Sequence, residues 1–334
     1  MKSIERIKIL IVTSEYPTPS RKNDVPWLVE QVEYVKNNGI DVTVFKIPNQ
    51  HLIKKLKAIF SLQLLIRNGK FSLIHCHWGY NTVFAYSSKT PIITTFHGSD
   101  IQGHVKGNGT ITLKGKLMML VSRISASLSS VNIFVSSRLT KNIPKKVLNR
   151  SFIIPMGYNS NLFKPSSKSK ARFQLGLDQN VKYMLFAGNY SKSVKGFPLA
   201  IKVINSLDES YELIKLDYAS HKEMVNYMNA SDVLLMTSYQ EGAPVIIKEA
   251  LACNLPVIST DVGDVKEVIK YIPDSYVIKR RDPIKIATLI KRSIEMGSTN
   301  VGSKIMRKYT AKRMNNRVLG IYLDILQNER KFID

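Results

Sequence analysis

Two glutamates have the residue type and the spacing for contact with a ligand rich in hydroxyl groups. Glu241 follows the apolar run 232–238, and Glu249 comes eight positions later. The run is typical of a buried parallel strand, and Pro244 to Cys253 has helical spacing with Pro in its first turn. An ionised carboxylate accepts hydrogen bonds from neighbouring hydroxyls. The pattern therefore favours a sugar site at the carboxyl edge of a sheet, and two solvated acids beside a core helix are the alternative.

A second candidate site lies where Gly188 follows one apolar run and Gly196 precedes a helical pattern. Gly188 allows a close backbone turn, and Lys192 and Lys195 place positive charge at a helix N-terminus. Together these features favour a diphosphate. The glycine spacing matches neither a Walker loop nor a dinucleotide fingerprint, so an ordinary turn with exposed lysines is the alternative.

Histidines end two consecutive strand patterns. His97, beside Gly98, could hydrogen-bond a ligand hydroxyl, whereas a structural role is the alternative. His75 and His77 end the preceding strand and share one face of it. Since no third ligand is evident nearby, no zinc site is predicted.

Strand and helix patterns alternate along the whole chain, which predicts an α/β protein of two doubly wound, Rossmann-like domains. A polar stretch, 159–172, is the predicted linker. The predicted domains are 1–158, joined by a C-terminal helix at about 312–334 that crosses back, and 159–311. Two such halves would leave a cleft between them.

Composition limits the partners. The chain has 334 residues and 44% hydrophobic content, which is typical of a globular protein. No apolar run reaches bilayer length, and the start lacks a signal-peptide core. Cys76 and Cys253 lie in apolar patterns and are expected to be buried thiols, which favours the cytoplasm.

The net charge of +24 predicts an anionic partner. The segment 53–67 mixes Lys with large apolar residues at helical spacing, which favours an anionic membrane surface over an ordinary crossover helix. No recognised nucleic-acid motif is present, so nucleic acid is not the expected partner.

The order of these motifs resembles glycosyltransferase family 4, the retaining enzymes with the GT-B architecture of two facing Rossmann-like domains. The resemblance covers nearly the whole chain. The residues that carry it are Tyr16-Pro17, Ile74 to His77, His97-Gly98, Ile154 to Gly157, Lys195-Gly196, the pair Glu241 and Glu249, Pro256 to Gly263, and Ile321-Tyr322.

The resemblance implies a role for each site residue. Glu249 would hold the ribose of the nucleotide, and Glu241 would contact the donor sugar. Lys195 would neutralise the diphosphate, and His97 would touch the sugar from the opposite domain. Glu241, His97 and Lys195 form the expected catalytic set. The expected donor-binding residues are Glu249, Gly242, Ala243, Pro244, Gly188, Asn189 and Lys192.

Several positions depart from the family pattern. Asn189 stands where Arg is usual, and Lys192 is the nearest substitute for the missing charge. Asp264 replaces a frequent second Gly, and Met156 replaces a frequent Asn. The turn 23–27 replaces a small, flexible turn near the phosphates.

The predicted function is transfer of a hexose from a UDP- or GDP-sugar, with no metal or other cofactor. The acceptor would be a hydroxyl of a glycan or of a polyprenyl-diphosphate-linked glycan, in cell-surface polysaccharide synthesis at the inner membrane face. Two other classes stay open: a nucleotide-sugar epimerase of the same fold, and a non-catalytic protein that binds an anionic ligand or nucleic acid.

Overall fold

The computed structural model describes residues 7–18, 25–48, 52–217 and 219–330. The chain divides into two compact units. The first comprises Met1–His104, Thr112–Pro155 and Ala311–Asp334, and the second comprises Val105–Ile111 and Met156–Thr310. Each unit is an α/β layer structure built on a parallel sheet, as the alternating pattern predicts.

The first unit contains a parallel sheet whose described strands have the order β2-β1-β3-β4-β5-β6. The strands are β1 (Lys8–Thr13), β2 (Asp41–Lys46), β3 (Leu73–His77), β4 (Ile92–Phe96), β5 (Val131–Phe134) and β6 (Ser151–Ile153). The helices are α1 (Pro26–Asn37), α2 (Leu52–Asn68), α3 (Leu113–Leu128), α4 (Lys145–Leu148) and the C-terminal α12 (Ala311–Arg330).

Different helices cover the two faces of this sheet. On one face, Ile9 and Ile11 pack against α1 and against α12, whose Tyr322 is fully buried. On the other face, Leu10 and Val12 pack against Leu62 of α2. Because successive strand residues point to opposite faces, a strand buried on both sides is a continuous apolar run.

The second unit has a parallel sheet with the described order β11-β10-β9-β7-β8. The strands are β7 (Lys182–Ala187), β8 (Tyr211–Leu216), β9 (Val233–Met236), β10 (Val257–Thr260) and β11 (Tyr276–Ile278). The helices are α5 (Lys168–Leu175), α6 (Phe197–Ile204), α7 (His221–Ala230), α8 (Val245–Ala252), α9 (Val265–Ile269), α10 (Pro283–Met296) and α11 (Val301–Met306).

The last part of the predicted linker, 159–172, is wrong, because residues from Lys168 onward form helix α5. Ser167 caps the helix by accepting a hydrogen bond from the Lys170 amide. Arg172 is buried and pairs with Asp232, with 2.7 Å between Nη2 and Oδ2. The Ser and Lys residues of this short helix face the solvent. Because a linker is also rich in such polar residues, the sequence composition alone resembled that of a linker.

Each sheet has a topological switch point, where the chain leaves one strand and returns on its other side. In the first sheet the switch lies between β1 and β3, and in the second it lies between β7 and β9. Ligands of open α/β sheets bind at the carboxyl ends of the strands at such points. A ligand-binding site is therefore expected in the loops after these four strands.

Candidate functional site

The loops after β7 and β9 bring Lys195 and Glu241 together at the switch point of the second unit. Lys195 Nζ lies 2.8 Å from Glu241 Oε1, and Ser238 Oγ donates to the same oxygen at 2.8 Å. The two charged side chains are partly accessible, at 29% and 18%. An ammonium has three N–H donors, so Lys195 can hold Glu241 and still donate to an anionic ligand.

Hydrogen bonds between the two loops fix the position of Lys195. The Thr237 hydroxyl donates to the carbonyl oxygens of Lys195 and Gly196, at 3.1 and 2.9 Å. The Tyr239 amide donates to the Val194 carbonyl at 2.8 Å. Gly196 has a φ of 68°, and a Cβ there would lie 2.3 Å from the Thr237 carbonyl oxygen. Only glycine allows this approach, which explains the Lys195-Gly196 pair.

Arg281 is a further support of these loops that the sequence pattern did not single out. Its Nη2 donates to the Thr237 carbonyl at 2.8 Å, and its guanidinium lies 3.7 Å from the centre of the Tyr239 ring. Arg281 follows Lys279 and Arg280 in a short basic run of the sequence. In the structure, this arginine holds the loop after β9.

The start of α8 offers backbone donors beside Glu241. In the described part of the chain, the amides of Gly242 and Ala243 donate no hydrogen bond. Pro244 is the cap residue rather than part of the first turn, because the helix begins at Val245. A Cβ on Gly263 would lie 2.5 Å from the Gly242 carbonyl oxygen, so the turn after β10 packs tightly on this segment. Free amides at a helix start favour an anion or hydroxyl oxygens.

Glu249 lies inside α8 and is only 7% exposed. Burial raises the pKa of its carboxyl to about 8, although the neighbouring Lys248 partly opposes that shift. The sequence predicted an ionised acid. The structure corrects this, because desolvation keeps the carboxyl largely neutral at pH 7. A neutral carboxyl both donates and accepts a hydrogen bond, which still suits a diol.

Lys248 and Asp264 form a buried ion pair next to Glu249. Lys248 Nζ lies 2.7 Å from Asp264 Oδ2, and the side chains are 0% and 3% exposed. The other oxygen, Asp264 Oδ1, is buried with no partner in the described part of the chain. Asp264, which departs from the family pattern, therefore has a structural partner. The pair ties helix α8 to the turn that packs on Gly242.

The segment after β7 also contains the other predicted phosphate-side residues. Gly188 has a φ of 119°, and its amide donates to the Leu216 carbonyl at 2.9 Å. The Asn189 side-chain oxygen accepts from the Ser191 amide at 3.0 Å, so it shapes this turn. Lys192 is exposed, and no ion pair of its ammonium is found in the described residues. The structure thus leaves Lys192 available but separate from the Lys195–Glu241 pair.

At the switch point of the first unit, neutral aromatic rings cluster around His97. Its Nε2 lies 3.1 Å from Nδ1 of the buried His77. The rings of Trp27 and Trp78 have their centres 4.7 and 4.9 Å from that of His97. Burial among these groups lowers the pKa of His97 to about 3. His97 is therefore a neutral imidazole that can hydrogen-bond a ligand but cannot act as a cation at pH 7.

The geometry indicates which nitrogen of His97 carries its proton. His77 Nε2 is buried and has no partner in the described residues. An orphaned buried N–H is rarer than an orphaned acceptor, so His77 carries its proton on Nδ1 and donates it to His97 Nε2. His97 then carries its own proton on Nδ1.

Two buried groups hold this cluster in place. His75 Nδ1 lies 2.5 Å from the Tyr322 hydroxyl of α12, and its Nε2 lies 2.8 Å from the Thr95 hydroxyl. The Asp100 carboxylate accepts from the amides of Gly79, His97 and Gly98 at 2.8 to 3.1 Å. The position of the His97 backbone is thus set by a carboxylate three residues later, a contact that the sequence did not reveal.

The described residues contain neither a metal-ligand cluster nor a helix that could span a membrane. No group of three or more His, Cys, Asp or Glu side chains there is arranged to hold a metal ion. No described helix is both long and apolar enough to cross a membrane. Of the predicted turn 23–27, residues 23 and 24 lie outside the described part of the chain.

Comparison with known proteins gives two family matches. Residues 5–162 match the model of Glycosyltransferase Family 4, and residues 211–313 match that of Glycosyl transferases group 1. The second match contains Glu241, Glu249 and the Lys248–Asp264 pair, and the first contains the histidine cluster.

Named relatives agree with these matches. The chain is 26% identical over 330 residues to "Putative teichuronic acid biosynthesis glycosyltransferase TuaC" of Bacillus subtilis (strain 168), covering 78% of this chain and 83% of that protein. It is 23% identical over 328 residues to the UDP-Gal:alpha-D-GlcNAc-diphosphoundecaprenol alpha-1,3-galactosyltransferase of Escherichia coli, covering 84% and 82%.

Among solved structures, Anabaena HepE in complex with UDP-glucose superposes with a TM-score of 0.73 at 15% identity, covering 96% of this chain and all of the other. At that identity the likeness concerns the fold alone. The two parallel-sheet, Rossmann-like domains are those of GT-B proteins.

Proposed function

This chain belongs to glycosyltransferase family 4, and we propose that it is a retaining enzyme that transfers a hexose from a nucleoside diphosphate sugar to a hydroxyl of a glycan. The observation that carries the proposal is the cluster of Lys195, Glu241 and Ser238 at the switch point of the second sheet, next to the free amides of Gly242 and Ala243. A cation, a carboxylate and backbone donors together match a diphosphate attached to a sugar.

We assign the nucleotide end of the donor to Glu249 and the diphosphate to Lys195. The Glu249 carboxyl is buried and therefore desolvated at a free-energy cost. Hydrogen bonds from the ribose hydroxyls would offset that cost. The Lys195 ammonium and the amides at the start of α8 would stabilise the negative charge that develops on the leaving diphosphate. These fixed charges would replace a divalent metal, so none is proposed as a cofactor.

In the proposed reaction the acceptor hydroxyl attacks the anomeric carbon on the face from which the diphosphate leaves. The new C–O bond forms as the bond to the phosphate oxygen breaks, and that oxygen takes the hydroxyl proton. Glu241 is already engaged by Lys195 and Ser238, which suits a binding role rather than that of a covalent nucleophile.

We propose UDP as the nucleotide and a polyprenyl-diphosphate-linked glycan as the acceptor. Two similar proteins support this proposal. HepE was solved in complex with UDP-glucose, and the Escherichia coli relative is named for UDP-Gal and a diphosphoundecaprenol-linked sugar. Such an acceptor is held in a bilayer, and the net charge of +24 favours an anionic membrane face. We therefore propose that the enzyme acts as a peripheral membrane protein in polysaccharide synthesis.

The first test is calorimetric titration of the purified chain with UDP and with GDP, without added metal. We expect UDP to bind. Lys195→Met should weaken binding by roughly 10- to 150-fold, because it removes charge-assisted hydrogen bonds worth about 1.5–3 kcal/mol. Glu249→Gln should weaken binding by roughly 2- to 12-fold, because it removes hydrogen bonds of a mainly neutral carboxyl worth about 0.5–1.5 kcal/mol. Lys202→Met, which changes an exposed lysine on α6, is the matched control and should bind normally. Unchanged affinity in both site variants would exclude these assignments.

Turnover separates the enzyme classes. A transferase consumes UDP-glucose or UDP-galactose only when an acceptor is present, and the anomeric configuration of its product by NMR reports retention. Conversion of a UDP-sugar into its epimer without any acceptor would instead support the epimerase.

A further inference from the structure

Helices α2 and α3 of the first unit leave large apolar side chains uncovered. Of the twenty large apolar side chains that are exposed in the described part of the chain, ten lie on these two helices. Leu113 is 84% exposed and Phe60 is 73% exposed, values usual for lysine rather than for a core residue. The ten are Leu52, Ile53, Leu56, Phe60, Leu64, Leu113, Leu117, Leu120, Ile124 and Leu128.

Helix α3 is amphipathic in the reverse of the usual sense. Small side chains face the sheet: Gly115, Ser122, Ser125 and Ala126 are the buried residues of this helix. By helical spacing, the stripe from Leu113 to Leu128 lies on the opposite side, in solvent. An ordinary surface helix buries its apolar stripe and exposes its polar one. The leucines of α3 are therefore not explained by the core of this unit.

Helix α2 has the same arrangement. Leu62 is its buried residue and packs on the sheet. Ile53, Phe60 and Leu64 lie on the other side of the helix and are exposed.

The two stripes face the same direction. Leu62 of α2 packs with Ile92 of β4, and the Thr94 hydroxyl of the same strand lies 2.6 Å from that of Ser129, which caps α3. Residues two apart on a strand share one face, so α2 and α3 cover the same side of the sheet. Their outward surfaces together form what we call the α2/α3 face.

The charge around this face has one sign. Residues 42–155 contain sixteen Lys and Arg residues and a single acidic residue, Asp100, which is buried. Helices α2 and α3 contain no acidic residue, and their seven cations are Lys54, Lys55, Lys57, Arg67, Lys114, Lys116 and Arg123.

An apolar stripe flanked by Lys and Arg is the pattern of a helix that lies in the interface of an anionic bilayer. Each suitably placed cation adds about 1 kcal/mol of attraction to such a surface. A second copy of the chain is a poor occupant, because two faces with the same net charge would repel each other.

We propose that the α2/α3 face docks on an anionic lipid bilayer, with both leucine stripes inserted at the boundary between head groups and acyl chains. This inference rests on the membrane association proposed above and names the surface that produces it. The surface is defined by two helices, whereas the sequence pattern indicated only the segment of α2.

The test is co-sedimentation of the full chain with vesicles of phosphatidylcholine alone and of phosphatidylcholine with 30% phosphatidylglycerol. We expect binding to the anionic vesicles and at least tenfold weaker partitioning to the neutral ones. The apolar variants Leu56→Gln/Phe60→Gln and Leu117→Gln/Leu120→Gln should each reduce partitioning about tenfold or more, since each removes two inserted side chains. Lys114→Gln/Lys116→Gln should weaken binding to anionic vesicles only.

Phe173→Gln is the matched control, because Phe173 is 83% exposed on α5 of the second unit. It should partition like the wild type. Equal loss in this control, normal binding by both apolar double variants, or equal binding to neutral vesicles would each overturn the proposal. A concentration-dependent dimer that either leucine variant abolishes would overturn it in favour of a second copy.

UDP titration of the same variants separates this proposal from the proposed function. None of the substituted residues belongs to the donor site, so UDP affinity should equal that of the wild type throughout. A chain that binds UDP but no vesicle refutes the α2/α3 face alone. A chain that binds vesicles through this face but neither UDP nor GDP refutes the proposed donor site and leaves the docking surface standing.

Discussion

The buried pair of Lys248 and Asp264 gives the sharpest test of how the donor side of this protein is held together. Lys248→Met keeps the length and the apolar stem of the side chain but removes its charge. Asp264 would then be a buried carboxylate with one oxygen that already has no partner in the described residues and a second that has lost its ammonium. Breaking a buried ion pair from one side costs about 3–5 kcal/mol.

For a folding unit of this size, that cost lowers the Tm by roughly 6–20 °C. Differential scanning calorimetry measures the shift directly. The double variant Lys248→Met/Asp264→Leu removes both charges and fills the space with apolar atoms. It should recover most of the lost stability, because apolar replacement of a buried ion pair is often neutral or stabilising.

Ligand affinity gives a second readout that packing alone would not change. Lys248 lowers the pKa of the neighbouring Glu249, although burial still holds that pKa at about 8. Without Lys248 the pKa of Glu249 should rise further in both variants. The double variant should therefore regain its Tm but bind UDP more weakly than the wild type at pH 7.

Two results would refute this reasoning. One is a stability loss below about 1 kcal/mol in Lys248→Met, which would mean that the pair is not desolvated in solution. The other is a double variant whose stability loss equals the sum of the losses measured for Lys248→Met and for Asp264→Leu alone, since independent additive effects are the sign of groups that do not interact.

Three further predictions follow from buried contacts. Gly196→Ala should abolish UDP binding and destabilise the fold by clashing with the loop after β9, whereas Gly176→Ala, at a similar φ of 65° but with open space around it, should cost only about 1 kcal/mol in chemical denaturation. Tyr322→Phe should destabilise the chain by about 1–3 kcal/mol in the same assay, because a buried histidine loses its partner, while Tyr34→Phe, which removes an exposed hydroxyl, should change little. The free energy of unfolding of the wild type should fall relative to Glu249→Gln as pH rises from 5 to 8, by at most about 1.4 kcal/mol per pH unit, since the folded state binds the Glu249 proton more tightly than the unfolded state does.

The strands were largely predictable from the sequence. The apolar run 232–238, interpreted from the sequence as a buried strand, contains strand β9 (Val233–Met236), and strands alternate with helices in both units as predicted. A parallel strand buried on both faces needs apolar side chains at every position, so it appears as an uninterrupted apolar run. Cys76 and Cys253 are buried and unpaired, as their surroundings predicted.

Contacts between residues far apart in sequence were not predictable. Arg172 and Asp232 are sixty positions apart, and their pairing makes part of the predicted linker a packed helix. Lys248 has the spacing of an ordinary helical lysine, yet it is fully buried. Helical periodicity also fails to show which side of α3 faces the sheet, because small residues can bury a helix face as well as leucines can.

The two switch points differ in charge. This difference indicates which residue causes the pH dependence of UDP affinity. The rings around His97 in the first unit hold its pKa at about 3, so it stays neutral from pH 5 to 9. Lys195, Glu241 and Glu249 are at the switch point of the second unit, where the pKa of Glu249 is about 8. A change in UDP affinity near pH 8 would therefore report Glu249 and not His97. Since ribose hydroxyls donate best to an ionised carboxylate, affinity should rise with pH through that range, and this rise should be absent in Glu249→Gln.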